Sequence, residues 1–521
     1  MKLSTKNFKL FILTISFIEG GAVMFTELVS AKLVAPYFGT SLYVWASVLG
    51  ITLGSLALGY YSGGYFSNKI KSKVLLYWVL LIAGCFVAIM PFSGAWIMKQ
   101  TIDMSIQSGV TVSLFLFLFP PLVLFGMMSP IIINILTEQV EESGKVSGLV
   151  YSVSTVGGIL LTYLTGFYIL PNYGISYPTV LFGLFLFLIG FIILIAKNKF
   201  ISFIFLIVIF FPLSKLKGLG KNNVQGFNVL YQSEGIFGQV KVLDHNYGTL
   251  TRGLKPGRGL MVNNTCQTIL DVQNPEYDLW DYAYFFPRAA SVKPKGSDAL
   301  ILGLGGGTLL KQYNRLGFNT DVVELDQRIK DVAIKYFSVD PTSNILIDDA
   351  RHGLKTLKKK YDVITFDLFL SETPPSHLLT LECFKEVQEA LKPGGLLLIN
   401  FFGFTSGDLG RPSRSVYKTL LESGFKTKMC VTPGNDELER NLIFLASMEE
   451  IDYSKTNYTE PFAPPINNIE DYFLDAAKMD FSDALILVDD KPILEHIYAL
   501  AALEWRKASN NVYSNKFLEK L

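Results

Sequence analysis

The sequence predicts a multi-pass α-helical membrane region followed by an α/β Rossmann-like domain that opens on a small N-terminal antiparallel β-sheet. Three observations carry this. Of 521 residues, 50% are hydrophobic and 13% aromatic, too apolar for an ordinary soluble chain. The long apolar runs are confined to residues 8–213, whereas charges are spread through 222–521. Beyond residue 291, short apolar runs alternate with helical stretches, the pattern of a doubly wound, mostly parallel sheet. The expected division is 1–214 helical, 222–290 small sheet, 291–450 Rossmann-like, and 451–521 a C-terminal extension.

A span needs about 20 apolar residues at about 1.5 Å each. Such runs fall at about 8–34, 42–66, 74–97, 110–136, 147–170, 177–196 and 199–214, giving six to eight crossings of a cell (inner) membrane. The first run begins after Lys2 and Lys6, takes in Lys9 and continues past Glu19 and Glu27 without a cleavage pattern, so it reads as a membrane helix and not a removed signal. Lysines at the N-terminus, at 69, 71 and 73, and at 215, 217 and 221 all favour the cytoplasm. Seven crossings cannot satisfy them together, so either the last short run, with Pro212, or the Pro120, Pro121 and Pro130 run is not one simple crossing. The soluble half is expected in the cytoplasm. A carboxylate inside an apolar run is costly, which makes Glu19 and Glu27 functional candidates unless they lie at a helix end beside Lys32. Gly50, Gly54, Gly59, Gly63 and Gly64 form a small-residue stripe suited to close helix packing.

The net charge of +1 and the lack of a basic stripe exclude nucleic acid as the expected partner. Cys85, Cys266, Cys383 and Cys430 have no paired spacing, and His352 and His377 stand alone, so no metal site or disulfide framework is expected.

Residues 222–290 carry short alternating runs parted by Asn/Gly turns at 246–248 and 263–264, the mark of antiparallel strands. Later strands are expected at 299–302, 321–325, 345–347, 361–366 and 396–401. The first of them runs into Gly303-Leu-Gly-Gly-Gly307-Thr308 and a helix from about Leu309; Gly303, Gly305 and Gly307 allow a sharp turn and close approach of a ligand. Glu324 closes the next strand 21 residues on, where a carboxylate accepts from both ribose hydroxyls. Asp349 ends the third, placed for an adenine amino group, while Asp348 reads equally as a helix cap. Asp367 ends the fourth, on the rim where such sheets bind ligands. Tyr282, Tyr284, Phe285 and Phe286 read chiefly as core packing, and the basic run 355–360 as a solvated helix end.

With these residues in view, the C-terminal half resembles the spermidine synthase (polyamine aminopropyltransferase) family, and the whole chain its membrane-fused branch. The resemblance rests on Gly235-Ile-Phe-Gly-Gln-Val240, Leu260-Met-Val-Asn-Asn-Thr-Cys-Gln267, the Gly-rich loop, Val323-Glu-Leu-Asp326, Asp349-Ala350, and most specifically Asp367 through Pro375-Ser-His-Leu-Leu-Thr380 to Leu391-Lys-Pro-Gly-Gly395. In the apolar half it rests on Pro36-Tyr-Phe-Gly39, Tyr43-Val-Trp45 and Ser154-Thr-Val-Gly157, and near the end on Asp489-Asp490. It implies an S-adenosylmethionine-dependent transferase fold and a cofactor site of Gly303, Gly305, Gly307, Glu324, Asp349, Ala350 and Gln239, with Gln267, Asp281 and Tyr282 on the amine side. Asp367 would orient the acceptor amine and take its proton. The implied donor is decarboxylated S-adenosylmethionine or S-adenosylmethionine itself, without a metal, and the implied partners are a small amine, the lipid bilayer and a second copy in a homodimer.

Three departures accompany the resemblance. Gly306 stands where the family has the aspartate that holds the aminopropyl ammonium, Leu370 where it has a second acceptor-side aspartate, and Leu279 where it has a tyrosine, with Tyr277 and Tyr282 nearby. They leave open another S-adenosylmethionine-consuming enzyme, a lyase or methyltransferase, and a polyamine transporter or sensor governed by an adenosyl ligand.

Overall fold

In the computed structural model the described residues are 5–39, 41–70, 72–137, 139–195, 223–224, 227–249, 253–369, 374–434, 436–456, 458, 466 and 468–509. The expected span at 199–214, the lysines at 215–221 and Leu370 lie outside them. The chain divides into two compact units, one helical and one α/β, with the stretch Ser233–Gln239 grouped with the helices.

The helical unit comprises α1 (Thr5–Phe38), α2 (Leu42–Ser67), α3 (Ser72–Thr101), α4 (Ile106–Phe117), α5 (Phe119–Leu136), α6 (Ser143–Leu164), α7 (Leu170–Tyr173) and α8 (Ser176–Ile195). Among the described residues, 5 stretches are long and apolar enough to cross a membrane: Lys6–Phe38, Leu42–Ser67, Lys73–Thr101, Phe119–Leu136 and Val140–Tyr173. The run at 110–136 is not one helix. It breaks at Leu118, because Pro120 and Pro121 lack the N–H that a continuing helix needs and fit only a new first turn. At about 1.5 Å per residue α4 reaches only about 18 Å, short of a bilayer core of about 30 Å. The run at 147–170 lengthens to 140–173 through a single π turn at Thr165–Ile169.

Helices pair as α1 with α6, α2 with α5 and α3 with α8. A Cβ on Gly59 would lie 2.4 Å from the Val123 carbonyl oxygen and one on Gly63 2.5 Å from that of Met127, so these two glycines set the α2–α5 approach. Gly50, Gly54 and Gly64 face open space, which cuts the expected stripe to a two-point contact. Leu53, Tyr61, Trp96 and Phe167 are exposed, an apolar exterior that water does not favour. Glu19 is buried and accepts hydroxyl hydrogens from Ser154 (2.9 Å) and Ser129 (3.3 Å); Glu27 is buried too.

The α/β unit holds two sheets. The first, ordered β1-β2-β3-β4-β5, runs β1 (Asn223–Val224), β2 (Phe227–Gly235), β3 (Gly238–Thr249), β4 (Gly253–Val262) and β5 (Thr265–Asp271). The expected extent of this sheet, 222–290, is corrected: it ends at Asp271, and 272–290 turns through loop into a 3-10 turn, Asp281–Tyr284, and helix α9 (Phe285–Ala290). Tyr284, Phe285 and Phe286 there are fully buried and carry the α/β core.

The second sheet has 7 strands: β6 (Asp298–Leu302), β7 (Asn319–Glu324), β8 (Asn344–Ile347), β9 (Tyr361–Phe366), β10 (Leu391–Phe402), β11 (Lys426–Val431) and β12 (Asn441–Ser447), in the order β11-β12-β10-β9-β6-β7-β8. The sheet is mixed, because β12 runs antiparallel to both β10 and β11. Helices α10 (Thr308–Arg315), α11 (Gln327–Tyr336), α12 (Ala350–Thr356), α13 (Leu381–Ala390) and α14 (Arg411–Glu422) connect the strands, and α15 (Leu494–Ser509) closes the described chain. Strand order reverses between β6 and β9, which opens a crevice at their C-terminal ends.

Candidate functional site

The crevice lies between the loops that leave β6 and β9. Gly303, Gly305 and Gly307 have φ of 95°, 52° and 75°, where a side chain is strained, so the loop after β6 needs glycine at all three. Gly303 also has a packing reason: its Cβ would lie 2.2 Å from the Asp367 carbonyl oxygen. The loop is held from beneath by Thr268 of β5, whose Oγ1 accepts from the Gly306 N–H at 2.9 Å.

Glu324, at the end of β7, is buried and accepts from the N–H of Leu304 (3.0 Å, Oε2) and of Asp326 (2.9 Å, Oε1). Burial raises its pKa against these donors. Each carboxylate oxygen has a second lone pair, so the group retains two acceptor sites while fixed against the Gly-rich loop.

Asp349 caps α12: its Oδ1 accepts from the N–H of Arg351 (3.0 Å) and His352 (3.1 Å), and its Oδ2 lies 3.4 Å from His377 Nε2. Ala350, the first residue of α12, is buried. Asp348 is spent locally, accepting from Asp349 N–H and meeting His352 Nδ1 at 2.5 Å. Arg351 anchors this corner. It forms paired bonds to Glu386 (2.7 and 2.8 Å) and to Asp489 (2.7 and 2.8 Å), and donates to the His377 carbonyl at 3.0 Å.

Asp367 lies just past β9. Its Oδ1 accepts from Asn400 Nδ2 at 2.7 Å, and the Tyr282 hydroxyl donates to the same carboxylate. Burial pushes its pKa up from 3.8 to about 6, although both donors pull it down. Burial and the charges of Asp367 and Asp278 push the Tyr282 phenol well above 10, so it remains a donor to Asp367. Tyr282 therefore bonds to Asp367 as well as packing in the core.

Gln267 is the extra residue of a β-bulge: Leu260 pairs with Thr268 and Met261 with Cys266, so Gln267 has no partner on β4. A bulge re-aims its side chain, here next to the residue that holds the Gly-rich loop. Gln239, at the second position of β3, groups with the helical unit and is not among the residues brought together here. Asp281 is half-buried, and its charge acts on Tyr472. The acid whose charge acts on Tyr282 beside that of Asp367 is Asp278, which is buried and accepts from Thr308 Oγ1 and the Trp280 N–H, both at 2.7 Å. The resemblance points to Asp281; what the fold adds is Asp278, three residues before the 3-10 turn and bonded to Thr308, 30 positions on. Asn400 is the second residue missed, and its signal was a lone amide ending the apolar run Leu396–Ile399.

Among the described residues no group of three or more His, Cys, Asp or Glu has metal-holding geometry. A glycine turn, a fixed carboxylate ending β7, a capping carboxylate after β8 and a buried carboxylate just past β9 line the C-terminal rim of a fold of the Rossmann-like transferase class.

Comparison narrows the class. Residues 287–400 match the model of the Spermine/spermidine synthase domain. A polyamine aminopropyltransferase of Vibrio vulnificus is 26% identical over 257 residues, 46% of this chain and 82% of that protein. Polyamine aminopropyltransferase 2 of Aquifex aeolicus is 23% identical over 436 residues, 78% of this chain and 82% of that one. An N-terminal histidine N-methyltransferase of Emericella nidulans is 30% identical over 154 residues, but these are only 29% of this chain and 26% of that protein. The chain carries a spermine/spermidine synthase domain joined to an N-terminal apolar helical region, and over most of its length it is similar to a polyamine aminopropyltransferase.

Proposed function

We propose that the chain is a membrane-anchored aminopropyltransferase that moves the aminopropyl group of decarboxylated S-adenosylmethionine to a small amine and releases methylthioadenosine. The carrying observation is Asp367, held by Asn400 and Tyr282 at the strand-order reversal, beside a glycine loop braced by Glu324. In this reading Glu324 takes the ribose hydroxyls and Asp349 the adenine amino group. Ala350 packs beneath the base, and Gly303, Gly305 and Gly307 let the backbone come close to the nucleoside. The amine nitrogen attacks the carbon next to the sulfonium, a C–N bond forms as the C–S bond breaks, and the sulfur leaves with the bonding pair as a neutral thioether. Asp367 orients the amine about 3 Å from that carbon and receives the proton it sheds. A carboxylate of pKa about 6 is mostly ionised near neutrality, and a better proton acceptor than an ordinary aspartate.

The apolar helices support a multi-pass anchor in the cell membrane, with the α/β unit in the cytoplasm. The test is to incubate the full-length protein with the decarboxylated donor and an amine and identify the nucleoside by mass. Methylthioadenosine is expected only when amine is present.

Gly306 favours one second reading. Without a carboxylate at that position the loop does not select an aminopropyl ammonium, so S-adenosylmethionine itself would be consumed. S-adenosylhomocysteine would then be the product of methyl transfer. Methylthioadenosine from S-adenosylmethionine without an acceptor would mark a lyase, and tight binding without turnover a sensor or regulated transporter.

A further inference from the structure

We infer that the acceptor is a monoamine with an apolar alkyl or aryl tail, and that Trp505 of α15 sets this preference; the inference rests on the transfer reading above. The wall beside Asp367 is aromatic. Asn400, which holds Asp367, shares a face of β10 with Phe402 because the two are separated by two positions. Phe402 stacks on Trp505 with ring centroids 4.2 Å apart and on Tyr498 at 6.0 Å. Phe369, two residues beyond Asp367, packs on Phe402 at 4.5 Å. The helix that supplies Trp505 and Tyr498 also packs against β5, the strand carrying Gln267 and Thr268, so α15 connects both flanks of the crevice.

The charges point the same way. Phe369 and Trp505, half-buried over the buried rings of Phe402 and Tyr498, offer apolar surface and no carboxylate to a second ammonium. Asp278 lies on the Tyr282 side and is already engaged with Thr308 and Trp280. An ammonium brought to this wall sheds its hydration, and a cation–π contact returns only part of it. An apolar tail loses nothing there and buries area against Trp505.

The test uses full-length protein in detergent with decarboxylated S-adenosylmethionine, and compares phenethylamine and hexylamine with putrescine by methylthioadenosine release. The monoamines should show a kcat/KM at least about tenfold above putrescine, the discrimination that one well-filled apolar subsite supplies. Trp505→Ala should remove most of that advantage, mainly through amine KM, with methylthioadenosine binding unchanged; Trp505→Phe, which keeps a ring, should retain most of it. The wild-type comparison needs no variant, so a misfolded Trp505→Ala cannot shelter the idea. Equal or better turnover of putrescine overturns the inference and leaves the transfer reading standing. An unchanged preference in folded Trp505→Ala overturns the role of Trp505. No methylthioadenosine with any amine overturns the transfer reading, and this inference with it.

Discussion

Replacing Asp367 by Asn should abolish turnover and stabilise the protein. In the unfolded chain the carboxyl ionises near 3.8, whereas in the folded chain burial delays ionisation to about 6. Between those values the native state binds the extra proton, so this group's contribution to stability is fully present below pH 4. It is lost as pH rises through 6 and stays lost above. At about 1.4 kcal/mol per pKa unit the ionised carboxylate costs the folded state about 3 kcal/mol at pH 7.5. Asparagine carries no such cost and still accepts from Asn400 through its amide oxygen. Melting followed by intrinsic fluorescence on full-length protein in detergent, from pH 4.5 to 8, should show Asp367→Asn melting higher by about 5 °C at pH 7.5, with the gap closing toward pH 4.5. Methylthioadenosine release should fall by about 10²–10⁴ in the variant, and in the wild type should decline below pH 6 as Asp367 protonates. Equal melting at every pH would refute the burial argument, and wild-type release by the variant would refute the proton-acceptor role.

Three further outcomes rest on the same geometry. Glu324→Gln turns an NH2 group toward one of the N–H donors of Leu304 and Asp326, and should weaken methylthioadenosine binding about 10- to 100-fold in a calorimetric titration; unaltered affinity would place the ribose elsewhere. Asp489→Asn loosens the partly exposed clamp on Arg351 and should raise the donor's KM about threefold to fivefold with little change in kcat, whereas a fall in kcat alone would contradict a positioning role. Gly306→Asp, although it restores the family's residue, should cost about 1–3 kcal/mol and lower activity, because its Cβ would lie 2.6 Å from Thr268 Cγ2 and 2.9 Å from Phe337 Cδ1; a gain in diamine turnover would show that the loop yields.

The parts of this molecule legible in its sequence are those written in local pattern. Strand β9 could be read residue for residue because Tyr361–Phe366 is a largely buried run between polar flanks, and the glycine turn could be read because positive φ leaves few other residues available. What escaped depended on contacts between distant segments. That β12 runs antiparallel beside β10 is a matter of pairing, which no run of apolar residues declares. Asp278 was passed over because its bond to Thr308, 30 positions on, is not written locally, and Asn400 acquires meaning only through Asp367, 33 positions earlier. The break at Leu118 was signalled by Pro120 and Pro121, but whether a proline pair kinks a span or ends it is decided by the helices around it. Asp489, read only as part of the resemblance, clamps Arg351 beside Asp349, and Trp505, which nothing in the sequence singled out, stacks on Phe402 from 103 positions away.

The contact between Thr268 and Gly306 bears on how this loop can be altered as well as on its chemistry. A carboxylate at 306 would bring its Cβ onto the threonine methyl, so it could be accommodated only if Thr268 shrank at the same time, although Thr268 is also the acceptor that holds the Gly306 N–H. The two positions therefore interlock: a change at one is tolerated only with a matching change at the other. Relatives of this chain should accordingly carry either an acidic loop facing a small residue or a glycine loop facing a branched one, and seldom a mixture.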